Sequence, residues 1–361
     1  MRRKRAIGTG RWGAAVAAAV LATGIWAGGP ARAQSVIEAR MDVTREAVRD
    51  TSPLPAVLQV DGKRREGRLV GRTETALVVL QTVNGTERKV VIPLQAVQAA
   101  FFTLEYDHSA VQAAEIHRQW ATAANVLHRA LFPAFAYLDL PDNNAVEPVA
   151  ALGELLMRAA ADARAAARTD EARAAAWKAT ESAARVLQLV ARVAWYEDAP
   201  LAAVRCVRCL QDAGQEERAR ALLAGLPEPM VGESGYGLYW LLRAQTALAT
   251  NDVDGAMHAA VNAVVFEDKD VETFPDALLV TGVCYDRLDS PYRARDVYLE
   301  VASIFPGTAW ATEARTRLRA LLDSGRTDAK EALPVENIFF GTQEDLNAKA
   351  RALLETEPGN P

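Results

Sequence analysis

Histidine and cysteine are nearly absent from this chain. Its 361 residues hold four of the first and three of the second. Most metal centres and many nucleophilic sites draw on those two residues. His108, His117, His128 and His258 are scattered. His117 and His128 share a helix face if that helix is unbroken, but no Cys stands near either, so no metal-ligand spacing emerges. HExxH, GxSxG, a phosphate loop and a dinucleotide fingerprint are also missing. The acidic run around Glu267, Asp268 and Asp270 is a solvated loop, because a calcium loop needs a denser set of oxygens. No catalytic, cofactor-binding or metal-ligating residue is therefore assigned, and no cofactor is expected. The chain is read as non-enzymatic.

The cysteines Cys206, Cys209 and Cys284 are odd in number, which excludes a disulfide framework. Cys206-Val-Arg-Cys209 has redox spacing, but it lies inside a helical pattern with no strand before it. The context that lowers a thiol pKa is missing. These residues read as small buried hydrophobes; a structural disulfide, with Cys284 as one partner, is the remaining alternative. Aromatic residues make up only 7% of an Ala-rich chain, which favours helices packed at short range.

Long apolar runs are missing after residue 33, so no later segment is expected to cross a membrane. The first 33 residues differ from the rest. MRRKRAIGTGR is basic, WGAAVAAAVLATGIWA is uncharged for sixteen residues, and GGPARA ends on Ala-x-Ala. Basic, apolar and small-residue regions in that order predict a secretory signal peptide cleaved after Ala33. The apolar run falls short of the ~20 residues that span a bilayer. The expected location is periplasmic or secreted. Six of the 41 Lys and Arg lie in this leader and none of the 46 acidic residues, so residues 34–361 carry 35 against 46, a formal charge of −11. That balance argues against nucleic acid as a partner.

After a linker over 34–53, residues 54–106 carry five short runs rich in Val, Leu and Phe: LPAVLQV, GRLVGR, TALVVLQTV, ERKVVIP and AAFFTL. Asp61-Gly62 and Asn84-Gly85 are pairs that accept positive φ in two-residue hairpins. Pro93 ends the fourth run, and IPLQAV predicts a one-turn bridge into the fifth. Five strands in so short a segment predict a small barrel, which removes exposed edges. The G-x-L-x-G and I-P-L-x-x-V patterns resemble SH3-like and Sm-like barrels. Its basic surface includes Lys63, Arg64, Arg65, Arg68, Arg72, Arg88 and Lys89, so an anionic envelope polymer is a candidate ligand.

From residue 107 to 323 the pattern is helical, with breaks at 140–144, Thr169-Asp170, 198–200, 226–235, 267–270, Ser290-Pro291 and Pro306-Gly307. The stretch GVCYDRLDSPYRARDVYLEVASIFPGT places Gly282, Tyr285, Ala294, Tyr298 and Pro306 at the offsets of a helix-turn-helix repeat. It resembles the tetratricopeptide repeat (TPR). Trp240, Ala244, Ala256, Ala260 and Ala263 fall at matching positions, and Ala219 and Leu223 continue the register 37 residues earlier. Between 145 and 195 the pattern is poor. GTAWATEARTRLRALL reads as a lone capping helix. Over 324–361 the repeat is lost; Ile338-Phe339-Phe340 is expected to dock onto the solenoid or onto a partner, and a short helix is expected over 342–355.

The resemblance extends to exported bacterial envelope TPR proteins. It implies a mainly α fold: a TPR-like solenoid preceded by a small five-stranded β-barrel, whose first helices line a groove. By register that groove presents Leu241, Gln245, Leu248, Asp276, Leu279, Val283 and Asp286 to an envelope protein or peptide. Leu279 and Val283 stand where carboxylate-clamping repeats carry Lys and Asn, so clamping of a C-terminus is not expected. The function implied is a non-enzymatic interaction scaffold. The alternative is binding of peptidoglycan or another envelope polysaccharide through the basic barrel.

Overall fold

Two hairpin turns set the N-terminal sheet. Asp61 (φ 49°) and Asn84 (φ 50°) both adopt left-handed backbone ahead of a glycine, the conformation that two-residue turns require. The computed structural model describes residues 53–266, 273–327 and 343–355. The leader, the linker up to residue 52, the acidic loop at 267–270 and Ile338-Phe339-Phe340 lie outside the described residues. Five strands run β1 (Leu54–Val60), β2 (Lys63–Arg72), β3 (Ala76–Val83), β4 (Thr86–Pro93) and β5 (Val97–Phe102). All pairs are antiparallel, in the order β4-β3-β2-β1-β5. A 3-10 turn at Leu94–Ala96 bridges β4 to β5, as Pro93 implied. The second strand starts four residues before the GRLVGR run, because the tight turn pairs Lys63 with Val60 at once.

Alternation fixes the faces. Leu54, Ala56, Leu58 and Val60 of β1 point inward, with Leu77, Val79, Ile92, Val97 and Phe102 buried beside them. Val57 and Phe101 pair with each other on the opposite face, where Phe101 is exposed. A shift of one residue would expose the whole apolar set.

Among the described residues twelve α-helices follow: α1 (His108–Ile116), α2 (Trp120–Leu131), α3 (Val146–Ala166), α4 (Asp170–Val190), α5 (Ala199–Asp212), α6 (Glu216–Gly225), α7 (Tyr236–Ala249), α8 (Val253–Phe266), α9 (Phe274–Arg287), α10 (Pro291–Ile304), α11 (Ala309–Asp323) and α12 (Gln343–Glu355). Their starts follow local chemistry. Asp107, Thr169 and Thr308 each accept a backbone N–H of the first turn, and α5, α9 and α10 carry Pro there, where its missing N–H costs nothing. Consecutive helices pack on each other, and α5, α7, α9 and α11 also touch in succession. Alternate helices thus form one layer.

Two glycines allow close approach within hairpins. A Cβ on Gly282 of α9 would stand 2.6 Å from the Tyr298 ring of α10. A Cβ on Gly153 of α3 would stand 2.7 Å from Leu187 of α4. The second contact lies where the sequence pattern was poorest. Tyr298 and Ala294 are fully buried; each large apolar side chain so buried contributes about 1.5–3 kcal/mol.

The capping helix α11 is not alone. The C-terminal helix α12 packs against both α10 and α11. Ala350 joins the core that holds Tyr298 and Leu318, and Leu353 and Leu354 lean on it. Beside this contact the Arg295 side chain is fully buried. It donates to the Gln343 carbonyl and Oε1, to Asn347 Oδ1 (2.8 Å) and to Asp296. Asn347 in turn donates to the Thr327 carbonyl.

The sheet is fastened to the helices by polar contacts. The Asn144 side chain accepts from the Phe102 N–H (2.7 Å) and donates to the Phe102 carbonyl (2.9 Å), so it extends the β5 edge as a strand would. Arg72 donates to the Ala136 carbonyl and to Asp139. The rings of Phe102 and Tyr137 meet at 6.2 Å.

Candidate functional site

Helix α5 carries the side chains that join the alternate-helix layer. Its buried strip comprises Ala202, Cys206, Val207, Cys209 and Leu210. At offsets of four, three and four, Leu201, Arg205, Arg208 and Asp212 form an adjacent strip. Arg205 bonds Glu154 of α3 at 3.1 Å, and Arg164 of α3 bonds Asp212 at 2.7 Å. Arg208 reaches Gln245 of α7 at 3.4 Å and Asp276 of α9 at 3.5 Å. Asp276 also accepts from Trp310 Nε1 of α11 at 3.2 Å. A polar line therefore crosses five helices: α3, α5, α7, α9 and α11.

The bonds along this line differ in strength. Those of Arg208 are at the long limit of hydrogen bonding, and its side chain is 31% exposed. Ion pairs so placed contribute ~0–1 kcal/mol. They can be exchanged for a ligand's groups at little cost, which a buried network such as that of Arg295 could not do.

The structure divides the seven groove residues read from the sequence. Gln245 and Asp276 meet at Arg208. Asp286 is held by Arg326, and Leu248 lends its carbonyl to Arg287. Leu279 and Val283 are half-buried and lean on the α9–α11 core. Leu241 is a correction: it is 1% exposed and packs inside the stack, so it cannot meet a partner. Its neighbour Trp240 is buried too, and adjacent helix positions this apolar are taken up by flanking helices. Arg208, Arg205, Glu154 and Trp310 were not singled out in advance. The 37-residue register shift that aligns α5 with α7 places Arg208 opposite Gln245, a signal present in the sequence.

A pocket of ≈ 280 Å³ opens between α3, α4 and α5, next to the same strip. Glu147, Glu154, Tyr196, Asp198, Leu187 and Arg205 are among its lining. Burial, then the carboxylates of Asp198 and Glu147, holds the Tyr196 hydroxyl above its ordinary value of 10.0.

Three of the sheet's seven basic residues have partners. Arg64 pairs with Glu66, Arg68 with Glu87, and Arg72 turns into the helices. The cysteines are free and buried. Burial pushes Cys206 to about 11, Cys209 to about 12 and Cys284 to about 11, the reverse of a redox thiol. Among the described residues no three His, Cys, Asp or Glu are grouped to hold a metal ion, and no helix is long and apolar enough to cross a membrane.

Compared with known proteins, the chain matches no family model and no curated protein.

Proposed function

We propose that this chain is an exported, non-enzymatic interaction scaffold whose TPR-like helical stack binds a partner protein along its first-helix face. The observation that carries this reading is the succession α5, α7, α9 and α11, touching side by side and bridged through Arg208, Asp276 and Trp310. Hairpins that cannot bury their apolar faces alone stack in this way and leave one face of alternate helices free for binding. The Gly282–Tyr298 contact fits the repeat read from the spacing of Gly282, Tyr285, Ala294, Tyr298 and Pro306. The leader motivates export and an envelope partner.

The strand order and the 3-10 turn before β5 support an SH3-like barrel. We read it as the N-terminal cap of the stack. Three of its five arginines are ion-paired, and Asn144 completes its β5 edge at Phe102.

The test is charge reversal. Arg208→Glu combined with Gln245→Lys should abolish recovery of the partner that the wild-type chain enriches from its own cells. Asn262→Lys on α8 should leave recovery intact. Equal recovery with both variants would contradict binding through this face.

A further inference from the structure

The pocket between α3, α4 and α5 has a divided lining. Ala150, Ala151, Leu187 and Leu201 make an apolar wall. Glu147 and Asp198 supply carboxylates. Among the described residues neither is ion-paired with a Lys or Arg; the Asp198 carboxylate accepts only from the Ser234 hydroxyl. Glu154 differs, for Arg158 and Arg205 already hold it. The complement of such a lining is a run of methylenes ending in a cation. At ≈ 280 Å³ the pocket lies below the ~300–1,000 Å³ of small-molecule clefts, the scale of one side chain. The excess of 46 acidic over 35 basic residues across 34–361 favours encounter with a basic partner. Leu201 and Arg205 also join the pocket to Arg208 along one strip of α5, so a chain lying on the first helices passes over its mouth.

We propose that this pocket receives one lysine or arginine side chain of a partner protein, its aliphatic stem on Ala150, Ala151 and Leu201 and its cationic head against Glu147 and Asp198. The proposal rests on the first-helix face being the partner-binding surface, and its test is separable from the test of that face. The full chain, labelled at Leu and Val methyls, is titrated with Nα-acetyl-arginine amide and Nα-acetyl-lysine amide, with Nα-acetyl-norleucine amide as the uncharged control. The Leu201 methyl signals should shift saturably with a cationic probe. The apparent affinity should fall at least tenfold in Glu147→Gln/Asp198→Asn, a near-isosteric variant whose other methyl signals report an intact fold. High salt should weaken binding in the wild type. No saturable shift, an equal shift with the norleucine amide, or unchanged affinity in the variant would each overturn the proposal. Probe binding in the pocket together with intact partner recovery by the Arg208 variant would overturn the groove reading alone.

Discussion

Gly282 faces the Tyr298 ring at a distance that leaves no room for a methyl group. Replacing it with Ala brings two opposed effects. Helix propensity gains about 1 kcal/mol, while overpacking a fully buried ring costs about 1–3 kcal/mol. Tyr298 cannot move out, since it is enclosed by the α9–α11 core, so the cost should win. Gly282→Ala is expected to lower unfolding free energy in urea by up to about 2 kcal/mol, and in a Tyr298→Leu background, itself destabilised, the further cost of Gly282→Ala should largely vanish. The cysteines give a second residue-scale prediction. Their folded-state pKa values of about 11 to 12 lie above the ordinary 9.0. Between those limits the unfolded chain loses thiol protons that the native chain keeps, so stability falls as pH rises. A triple Cys→Ala variant should show a shallower stability loss from pH 9 to 11 than the wild type. Native thiols should also resist alkylation at pH 8 until denaturant is added.

The C-terminal helix is an element held by one buried charge. Arg295 is enclosed and bonded to Asp296, Gln343 and Asn347. Removing one partner of such a network costs about 3–5 kcal/mol. Arg295→Met should therefore raise hydrogen exchange across 343–355 to near the unstructured rate, while α7 and α8 keep their protection. Equal deprotection of all helices would mean that α12 is integral to the global fold. Elements of this kind also show what was legible in the sequence. The hairpin turns, the bridge after Pro93 and the α9–α10 pair could be read because Asp-Gly, Asn-Gly, Pro and the Gly282–Tyr298 offset act locally. The α3–α4 pair could not, because its long Ala-rich helices keep apolar periodicity weak and its close contact, Gly153 on Leu187, involves residues 34 apart. The α11–α12 pairing was missed for a related reason: a charged residue in a helical pattern reads as exposed, and only tertiary contact makes Arg295 internal. Leu241 failed oppositely, its register position being right for the face but its side chain turned into the stack.

Across the molecule, sheet and helices share their stabilising contacts. Asn144 completes β5, and Arg72 reaches the 3-10 turn at Phe132–Tyr137 and Asp139. The Arg72 side chain is only 6% exposed, so its loss strands Asp139 and a carbonyl. Arg72→Met/Asn144→Ala should separate a single thermal transition into two, the first reporting the sheet and the second the helices. The same connectedness underlies the proposed function, in which the rigid stack presents Arg208, Gln245 and Asp276 as one surface. The candidate site was half legible from sequence: Gln245 and Asp276 followed from repeat register, but Arg208 required knowing which helices lie side by side. The most direct test is a photo-crosslinking scan in the native cells, with the crosslinker placed singly at Gln245, Leu248 and Asp286 and at Val261, Asn262 and Val265 of α8. The account predicts one shared partner crosslinked from the first set and none from the second. Crosslinks to that partner from α8 alone, or equally from both sets, would contradict it.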